Sequence, residues 1–257
     1  MTSSDSDNCS ADRAPIDTAL VFAAAERLGS ASDPASVLAQ LKAGADALGA
    51  EGAIFLSVAR DAAIKPETRL MTTCDPVWLQ HYLDAGGLVE DPWFRYASHR
   101  SEPIVASELD TRSAGTSARD ALASHRSFAS AVLAPAPSGL GHERVGLLCL
   151  GSSRRGYFEE SQPMSVRIAA RLLAAGLNDW WLANARCELL ATARISPAEM
   201  ELLRHQLLGH SSKRIAASLN VSQSSINSRF QRMNMKLGVP NRRAAVRLAV
   251  ECGLLFG

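Results

Sequence analysis

The sequence lacks the features that mark membrane and secreted proteins. Its 257 residues contain no apolar run that approaches the roughly 20 residues needed by a membrane-spanning helix. The N-terminal stretch MTSSDSDNCSADRAP is polar, so it does not resemble a secretory signal. We therefore expect a cytoplasmic protein that has no membrane partner.

The sequence also lacks the common patterns of metal sites and catalytic centres. The five cysteines are odd in number and have no CxxC spacing, and the six histidines include no HExxH pair. These patterns indicate neither a disulfide framework nor a zinc site. Because a nucleophile elbow and a phosphate-binding loop are missing too, we expect no enzyme and no cofactor. Cys74 and Cys149 are the two thiols worth weighing as nucleophiles, but a thiol in an apolar strand is more often inert packing.

The basic residues are concentrated at the C-terminal end. The whole chain has 27 Lys and Arg against 26 Asp and Glu, a formal net charge of +1. From residue 194 onward there are ten Lys and Arg against three Glu, and the remaining residues have seventeen basic and twenty-three acidic side chains. A basic end on a near-neutral chain is the electrostatic footprint of a phosphate-binding module. The alternative is a helical bundle with a solvated basic face.

The segment Ser212–Gln231, SKRIAASLNVSQSSINSRFQ, predicts two helices joined by a tight turn. Asn220 lies at the turn, where a residue must enter the left-handed region, and Asn does so at low cost. Ser222 is a good N-cap for the second helix. Apolar residues at helical spacing define its inward face: Ile226, Phe230, Met233 and Leu237. The pattern is typical of a helix-turn-helix.

Two further helices flank this pair. Ser196-Pro197-Ala198-Glu199 has a cap, a proline at the first helical position and a glutamate three residues after the cap, so it predicts a helix that ends at Gly209. After Pro240, an apolar series predicts a fourth helix that ends at Gly253. Residues 195–257 are therefore predicted to form an all-α domain of four helices.

Residues 16–188 predict a separate α+β domain, preceded by a disordered tail at 1–15 and followed by a linker at 189–194. Four strands are predicted, at 53–59, 69–74, 131–136 and 144–151. Helices are predicted at 16–28, 33–48, 76–85, from 91, at 116–128 and at 161–192. This order favours an α/β/α sandwich with a central antiparallel sheet, a shape that many small-molecule sensor domains have.

Three side chains of this domain could form a ligand pocket. Trp78 and Tyr82 are four residues apart on a predicted helix and so share a face, and Asp91 follows after a short loop. An indole N–H, a phenol and a carboxylate together suit a ligand with an apolar body and an amide. The alternative is that the aromatic side chains are core and that Asp91, which precedes a proline, is a helix cap.

The C-terminal sequence resembles, without a gap, the four-helix DNA-binding domain of LuxR-type transcription regulators. The match extends from Ile195 to Leu255 and includes these positions: Glu199, Leu203, Gly209, Ile215, Ala216, Leu219, Ser222, Ile226, Lys236, Leu237, Gly238, Val239, Ala245 and Gly253. The resemblance implies double-stranded DNA as a partner, a homodimer and, as a further partner, RNA polymerase.

The same resemblance implies which side chains contact DNA. Asn227 and Gln231 align with the base-reading positions of the family, and either side chain can bond adenine bidentately. Relatives often have Arg where Asn227 lies. Further polar side chains on the second helix are Ser222, Ser224 and Ser228. The residues expected to bind phosphate are Lys213, Arg214, Arg229, Arg232 and Arg242.

The pattern W-x3-Y-x8-D-P at this distance from the DNA-binding domain resembles the autoinducer-binding domain of quorum-sensing regulators, which bind N-acyl homoserine lactones. The resemblance implies that Trp78 donates to the lactone carbonyl and that Tyr82 contacts the acyl carbonyl. It further implies that Asp91 accepts a hydrogen bond from the ligand amide. The expected effector is therefore a small molecule, an N-acyl homoserine lactone or a related compound.

Four positions depart from the family pattern. Cys74 replaces a second Tyr, Ala106 replaces a Trp, Ala131 replaces a Gly, and Cys149 replaces a Ser or Thr. A site that binds polar groups discriminates strongly against analogues that lack them, so changed polar walls predict changed ligand choice. Three outcomes stay open: an unusual acyl chain, another class of ligand, or a pocket that has collapsed.

The sequence thus predicts a ligand-responsive transcription regulator of quorum sensing. We expect the ligand to support folding of the sensor domain, and the dimer to form through the long helix near Trp180 and Trp181, on a palindromic DNA site. One alternative is an orphan, ligand-independent regulator, and another is an antagonist that forms heterodimers with a true regulator. A response regulator is disfavoured, since we find no acidic pair, phosphoacceptor Asp and late Lys in the order that a receiver domain needs.

Overall fold

A five-stranded antiparallel sheet forms the centre of the N-terminal domain. The computed structural model describes residues 16–59, 68–84, 91–109, 126–137, 144–160 and 163–255. The strands are β1 (Gly52–Ala59), β2 (Thr68–Thr72), β3 (Ile104–Val105), β4 (Ser130–Pro137) and β5 (Arg144–Ser152), in the spatial order β2-β1-β5-β4-β3. All neighbouring strands are antiparallel.

Three helices cover one face of the sheet. They are α1 (Thr18–Ser30), α2 (Pro34–Ala47) and the 31-residue α6 (Pro163–Ala193). Asp17 and Asp33 cap the first two helices, because their carboxylates accept from the backbone N–H of Leu20 and Ser36 at 3.1 and 2.9 Å. The alternate residues of the strands that face these helices, such as Phe55 and Leu148, belong to the main hydrophobic core.

Shorter elements cover the other face. They are α3 (Pro76–Asp84), α4 (Pro92–His99) and the 3-10 turns at Ala106–Glu108 and Arg126–Phe128. The short helix α5 (Tyr157–Glu160) follows β5 and belongs to the first face, because Tyr157 and Phe158 are part of the main core. Residues of α3 and α4 pack with the remaining alternate strand residues in a second hydrophobic cluster. The domain is therefore a three-layered α/β/α sandwich, as the sequence predicted.

The four C-terminal helices are α7 (Pro197–Leu207), α8 (Ser212–Ser218), α9 (Gln223–Leu237) and α10 (Arg242–Glu251). Ser196 and Glu199 form a reciprocal capping box at the start of α7, and Gly209, with φ of +72°, follows its end. Asn220 joins α8 to α9 with φ of +52°, as expected for the turn. The helices enclose a core that includes Ile215, Ile226 and Phe230. The predicted helix-turn-helix is confirmed.

Helix α6 continues to Ala193 without a break, so the residues proposed as a linker, 189–194, are the last turn of this helix and Arg194. The domain division at these residues stays a prediction. The predicted tail at 1–15 and most of the predicted helix at 116–128 lie outside the described residues. Within the part of the chain that the structure describes, no helix is both long enough and apolar enough to span a membrane.

We expect the left-handed turn to make Asn220 sensitive to substitution. Asn220→Ala should lower the free energy of unfolding of the C-terminal domain by about 1 kcal/mol, since an alanine side chain raises the energy of a left-handed conformation. Asn220→Gly is the matched control, because glycine enters this region freely. Urea unfolding followed by circular dichroism measures both. Equal losses for the two variants would contradict this account of the turn.

Candidate functional site

One face of the sheet brings together most of the residues predicted to bind a ligand. Side chains of a strand alternate between faces, and those that are buried on this face are Ile54, Leu56, Ala131, Leu133, Val145, Leu147 and Cys149. Cys74, Trp78 and Ala106 pack against them from the covering elements. We call this second hydrophobic cluster the ligand-face cluster. Five of the seven predicted ligand residues therefore belong to one cluster.

Two glycines form the floor under one side of the cluster. Gly52 on β1 and Gly151 on β5 are directly paired across the strands, and both face the cluster. A Cβ atom added to Gly151 would lie 2.2 Å from the Phe128 ring and 2.2 Å from the backbone oxygen of Ser127. A Cβ on Gly52 would lie 3.0 Å from the Cys74 sulfur. The paired glycines thus leave the space that Phe128 occupies.

Phe128 is the centre of an aromatic group. Its ring lies 6.0 Å from the Trp78 ring in a stacked arrangement and 5.9 Å from the Trp93 ring in an edge-to-face arrangement. Both geometries are favourable for aromatic pairs. Trp78 therefore faces the cluster as predicted, but its neighbours there include two aromatic side chains that the sequence did not single out. Nothing in the spacing of Phe128 or Trp93 in the sequence identified either residue as part of the predicted pocket.

Asp91 has the capping role that was the alternative interpretation from sequence. Its Oδ1 accepts a hydrogen bond from the backbone N–H of Trp93 at 2.7 Å, at the start of α4. The carboxylate is only 2 % exposed, and its negative charge acts on the Cys149 thiol. A cap and a ligand contact do not exclude each other, because a carboxylate has two oxygens and several acceptor positions.

The two thiols of the cluster remain protonated at neutral pH. Burial raises the pKa of Cys149 well above its ordinary value, and the nearby negative charge of Asp91 raises it further. Burial also raises the pKa of Cys74, against smaller opposing hydrogen bonds from Thr72 and Ala53. Since a thiolate is the nucleophilic form, neither cysteine has the character of a catalytic nucleophile. Each can act as a small apolar wall with a weak donor.

Tyr82 lies on α3, one turn after Trp78, but its side chain is outside the described residues. No group of three or more His, Cys, Asp or Glu side chains with the geometry of a metal site occurs among the residues that the structure describes.

The exposed face of α9 contains several of the residues predicted to contact DNA. Ile226, Phe230 and Met233 are buried, so the opposite side of the helix faces solvent. The predicted residues that are exposed on this helix or at its start are Ser222, Ser224, Ser228, Gln231 and Arg232. Ser222 has a structural role as well, because its Oγ accepts from the backbone N–H of Ser225 at 3.2 Å. Lys213 and Arg214 are exposed on α8.

Asn227 and Arg229 lie on opposite flanks of α9 and are only half-exposed. On the first flank, Arg242 donates to Asn227 Oδ1 at 2.7 Å and to Ser212 Oγ at 2.7 Å. Its guanidinium also lies over the Phe230 ring, 4.1 Å from the centroid. Burial lowers the pKa of Arg242 from its ordinary value. Arg242 therefore joins α8, α9 and α10, a role that its place in the sequence did not reveal.

On the second flank, Arg229 and Arg232 line a cavity of about 440 Å³ with Lys236 and Glu199. Lys236 Nζ donates to Glu199 Oε2 and to the backbone oxygen of Arg194, both at 2.8 Å. Burial alone would raise the pKa of Glu199, but hydrogen bonds from Lys236 and Ser196 outweigh it and keep the pKa below its ordinary value. Lys236 is thus neutralised within the domain, whereas Arg229 and Arg232 add positive potential beside α9.

Trp180 and Trp181, near which the dimer was expected to form, pack within the protomer. Trp180 is 6 % exposed, and its indole N–H donates to the backbone oxygen of Ala31 at 2.8 Å, so it belongs to the domain's own core. Arg69 covers the Trp181 ring, 5.5 Å from its centroid. Three exposed apolar residues of α6 lie earlier, at four-residue spacing: Met164, Ile168 and Leu172, which are 68 %, 57 % and 39 % exposed; Leu190, near the end of the helix, is 38 % exposed.

A helix-turn-helix with a polar exposed helix, joined to a sandwich with a partly polar interior face, defines a transcription regulator with a sensor domain. Two family models match the chain, one for the autoinducer binding domain at residues 33–175 and one for bacterial regulatory proteins of the luxR family at residues 193–249. The chain belongs to the LuxR-type regulators that have an autoinducer-binding domain. The resemblance seen in the sequence is confirmed, and the family and fold are those of quorum-sensing transcription regulators rather than enzymes.

Solved structures of SdiA have the same fold. SdiA in complex with octanoyl-rac-glycerol has a TM-score of 0.72 and 17 % sequence identity over 93 % of this chain and 96 % of that one. A crystal structure of Escherichia coli SdiA has a TM-score of 0.66 and 17 % identity, over 93 % of this chain and 99 % of that one. A search of curated proteins found no match. Regulators of this family respond to small-molecule effectors and bind DNA.

We expect the glycine floor to be intolerant of a side chain. Gly151→Ala should lower the free energy of unfolding of the N-terminal domain by about 1 to 3 kcal/mol, because the added methyl group must displace Phe128 and the Ser127 backbone. Gly29→Ala is the matched control, since nothing lies within 4 Å of its added Cβ on α1. Chemical denaturation of both variants checks this. A Gly151→Ala protein as stable as the control would contradict the close contact.

Proposed function

We propose that the ligand-face cluster binds an N-acyl homoserine lactone or a related acyl compound, and that the liganded protein binds a palindromic DNA site as a homodimer. The observation that supports this proposal is the convergence of five predicted ligand residues on one face of the sheet, with Asp91 close to Cys149. A largely buried apolar cluster with a few polar groups has the composition of a small-molecule site.

Asp91 and Trp78 would orient the polar head of the ligand. Asp91 is almost fully buried, so a ligand amide N–H that bonds its carboxylate would do so away from competing water. The indole N–H of Trp78 is a donor suited to a carbonyl. The alkyl or aryl part of the ligand would pack on the aromatic group of Trp78, Phe128 and Trp93. Because Cys74 and Ala106 replace a phenol and an indole, this pocket offers fewer donors than the family pattern.

Phe128 covers the glycine floor. A ligand that reaches Gly52 and Gly151 would have to displace this ring, whereas a shorter ligand would pack against it. The same contact supports a second candidate, an orphan regulator in which side chains of the domain fill the cluster permanently. The two candidates differ in whether an added acyl compound stabilises the protein.

The two halves of the mechanism would be coupled through folding and association. A ligand bound only by the folded sensor domain stabilises it by mass action, by about 2.7 kcal/mol at a concentration 100 times the Kd. Two protomers would then associate through the exposed apolar residues of α6 and present two copies of α9 to successive major grooves. Gln231, Ser224 and Ser228 would face base edges, while Lys213, Arg214, Arg229 and Arg232 would bind phosphates.

A thermal-melt comparison with Asp91→Asn tests the ligand. N-octanoyl homoserine lactone should raise the Tm of the wild type by about 5 °C and leave that of Asp91→Asn almost unchanged. The asparagine oxygen can still cap α4, but its NH₂ group cannot accept from the ligand amide. Octanoyl glycerol, which has no amide N–H, is the second probe. A rise with octanoyl glycerol that survives in Asp91→Asn would assign an acyl ester as the ligand.

The ligand proposal would be contradicted if no compound in a series of acyl and aryl-acyl lactones and acyl glycerols raised the Tm of the folded wild-type protein. That result would favour the orphan regulator.

Charge on the exposed face of α6 tests the dimer. Ile168→Glu should convert the liganded dimer to a monomer, because a carboxylate would be buried among apolar side chains at the interface. Val77→Glu is the matched control, since Val77 is 64 % exposed on α3, in the opposite layer of the sandwich. Sedimentation velocity measures both. A monomeric wild type, or an Ile168→Glu variant that stays dimeric, would contradict this interface.

A further inference from the structure

The hydrogen bonds of Arg242 fix the orientation of the Asn227 amide. A guanidinium has only donor hydrogens, so the atom of Asn227 that lies 2.7 Å from Arg242 must be the amide oxygen. The NH₂ group is then on the other arm of the planar amide. Among the residues that the structure describes, none accepts a hydrogen bond from this NH₂ group.

Arg242 is itself held in place. One of its NH groups donates to Ser212 Oγ on α8, and the guanidinium is stacked on Phe230, a fully buried residue of α9. Arg242 occupies the first position of α10, directly after the cap Asn241. Three helices thus determine where its donors point. Ser212, Asn227 and Phe230 are all neutral, so these contacts do not neutralise the positive charge of the guanidinium beside α9.

We propose that Arg242 is a positioning residue for sequence recognition, and that it makes Asn227 a hydrogen-bond donor towards the DNA. The inference rests on the proposed role of α9 in the major groove. A free Asn can turn its amide to bond adenine with both an acceptor and a donor, which is the pairing that the sequence suggested. The hydrogen bond uses one of the two lone pairs of Oδ1 and holds that arm of the amide against the guanidinium, so the arm left for DNA is the NH₂ group.

A side chain that turns its NH₂ group towards the DNA favours a base whose major-groove edge has acceptors and no donor next to them. Guanine has two acceptors there, N7 and O6, whereas adenine has one acceptor beside the N6 amino group, which would face the NH₂ group donor to donor. The base opposite Asn227 should therefore be guanine, preferred over adenine by about tenfold. Gln231, one turn along the exposed face, is not held by Arg242 and keeps both modes of bonding.

Two variants separate positioning from simple structural support. Asn227→Asp keeps the contact with Arg242 but has no donor hydrogen, so its preference should change from guanine to cytosine, whose N4 amino group donates. Arg242→Met retains an unbranched chain to pack on Phe230 but releases the amide, so the preference for guanine over adenine should disappear. Lys213→Ala, at a proposed phosphate contact on α8, should weaken binding to all sequences without changing base preference.

The experiment is selection of binding sites from random DNA duplexes by the full-length protein and each variant, with N-octanoyl homoserine lactone present. The position read by Asn227 is the one at which Asn227→Ala loses its preference. In parallel, a double-mutant cycle between Asn227→Ala and Arg242→Met, measured on thermal stability without DNA, tests the contact itself and should show coupling.

The inference would be supported if the wild type selects guanine at that position, Asn227→Asp selects cytosine there, and Arg242→Met loses the preference for guanine. A selected site with adenine there, or guanine retained in Arg242→Met, would overturn it and leave the DNA-binding function intact. If the double-mutant cycle shows coupling but the full-length protein selects no DNA sequence, the proposed DNA-binding function is overturned, and with it the role of Asn227 in base recognition.

Discussion

Burial of β5 on both faces is the constraint on which the N-terminal domain depends. All nine residues of this strand, Arg144–Ser152, are buried, so each side chain must pack in one of two different layers. Alternation along the strand sends Leu148 and Leu150 towards α1, α2 and α6, and sends Leu147 and Cys149 towards the ligand-face cluster. A shift of one residue in the pairing with β1 or β4 would exchange these layers, so register is strongly specified. The same constraint gives the sheet one face that packs on the three long helices and one that forms the ligand-face cluster.

The architecture of this domain was predictable because its signals are local. Asp-Pro pairs mark helix starts, and apolar runs of six to nine residues bounded by turn residues mark strands. Period-2 alternation also explains why Ala131 and Cys149, predicted from resemblance, share a face. The contact of Phe128 with Gly151 was not predictable, because it joins a 3-10 turn to a strand residue that lies more than twenty positions later in the chain. A paired glycine in a strand indicates a close approach, but not which side chain makes it.

The C-terminal domain shows the same division between local and long-range information. The left-handed turn at Asn220 and the capping box of Ser196 and Glu199 could each be predicted from a few neighbouring residues. The hydrogen bond between Arg242 and Asn227 joins two helices, and the sequence showed only that one is basic and the other polar. The total positive charge was therefore predictable, whereas the division of basic side chains between structural and DNA-facing roles was not.

Helix α6 belongs to two hydrophobic cores. Its first two-thirds pack on the sheet, while Ala185 and Leu189 near its end pack with the C-terminal helices. At about 1.5 Å per residue, its 31 residues form a rod of about 46 Å. A cut between Trp181 and Ala185 leaves each core with its own residues of α6, whereas a cut after Leu189 removes packing residues from the C-terminal core. A fragment of the C-terminal helices that keeps its own core therefore has to begin within α6, at or before Ala185.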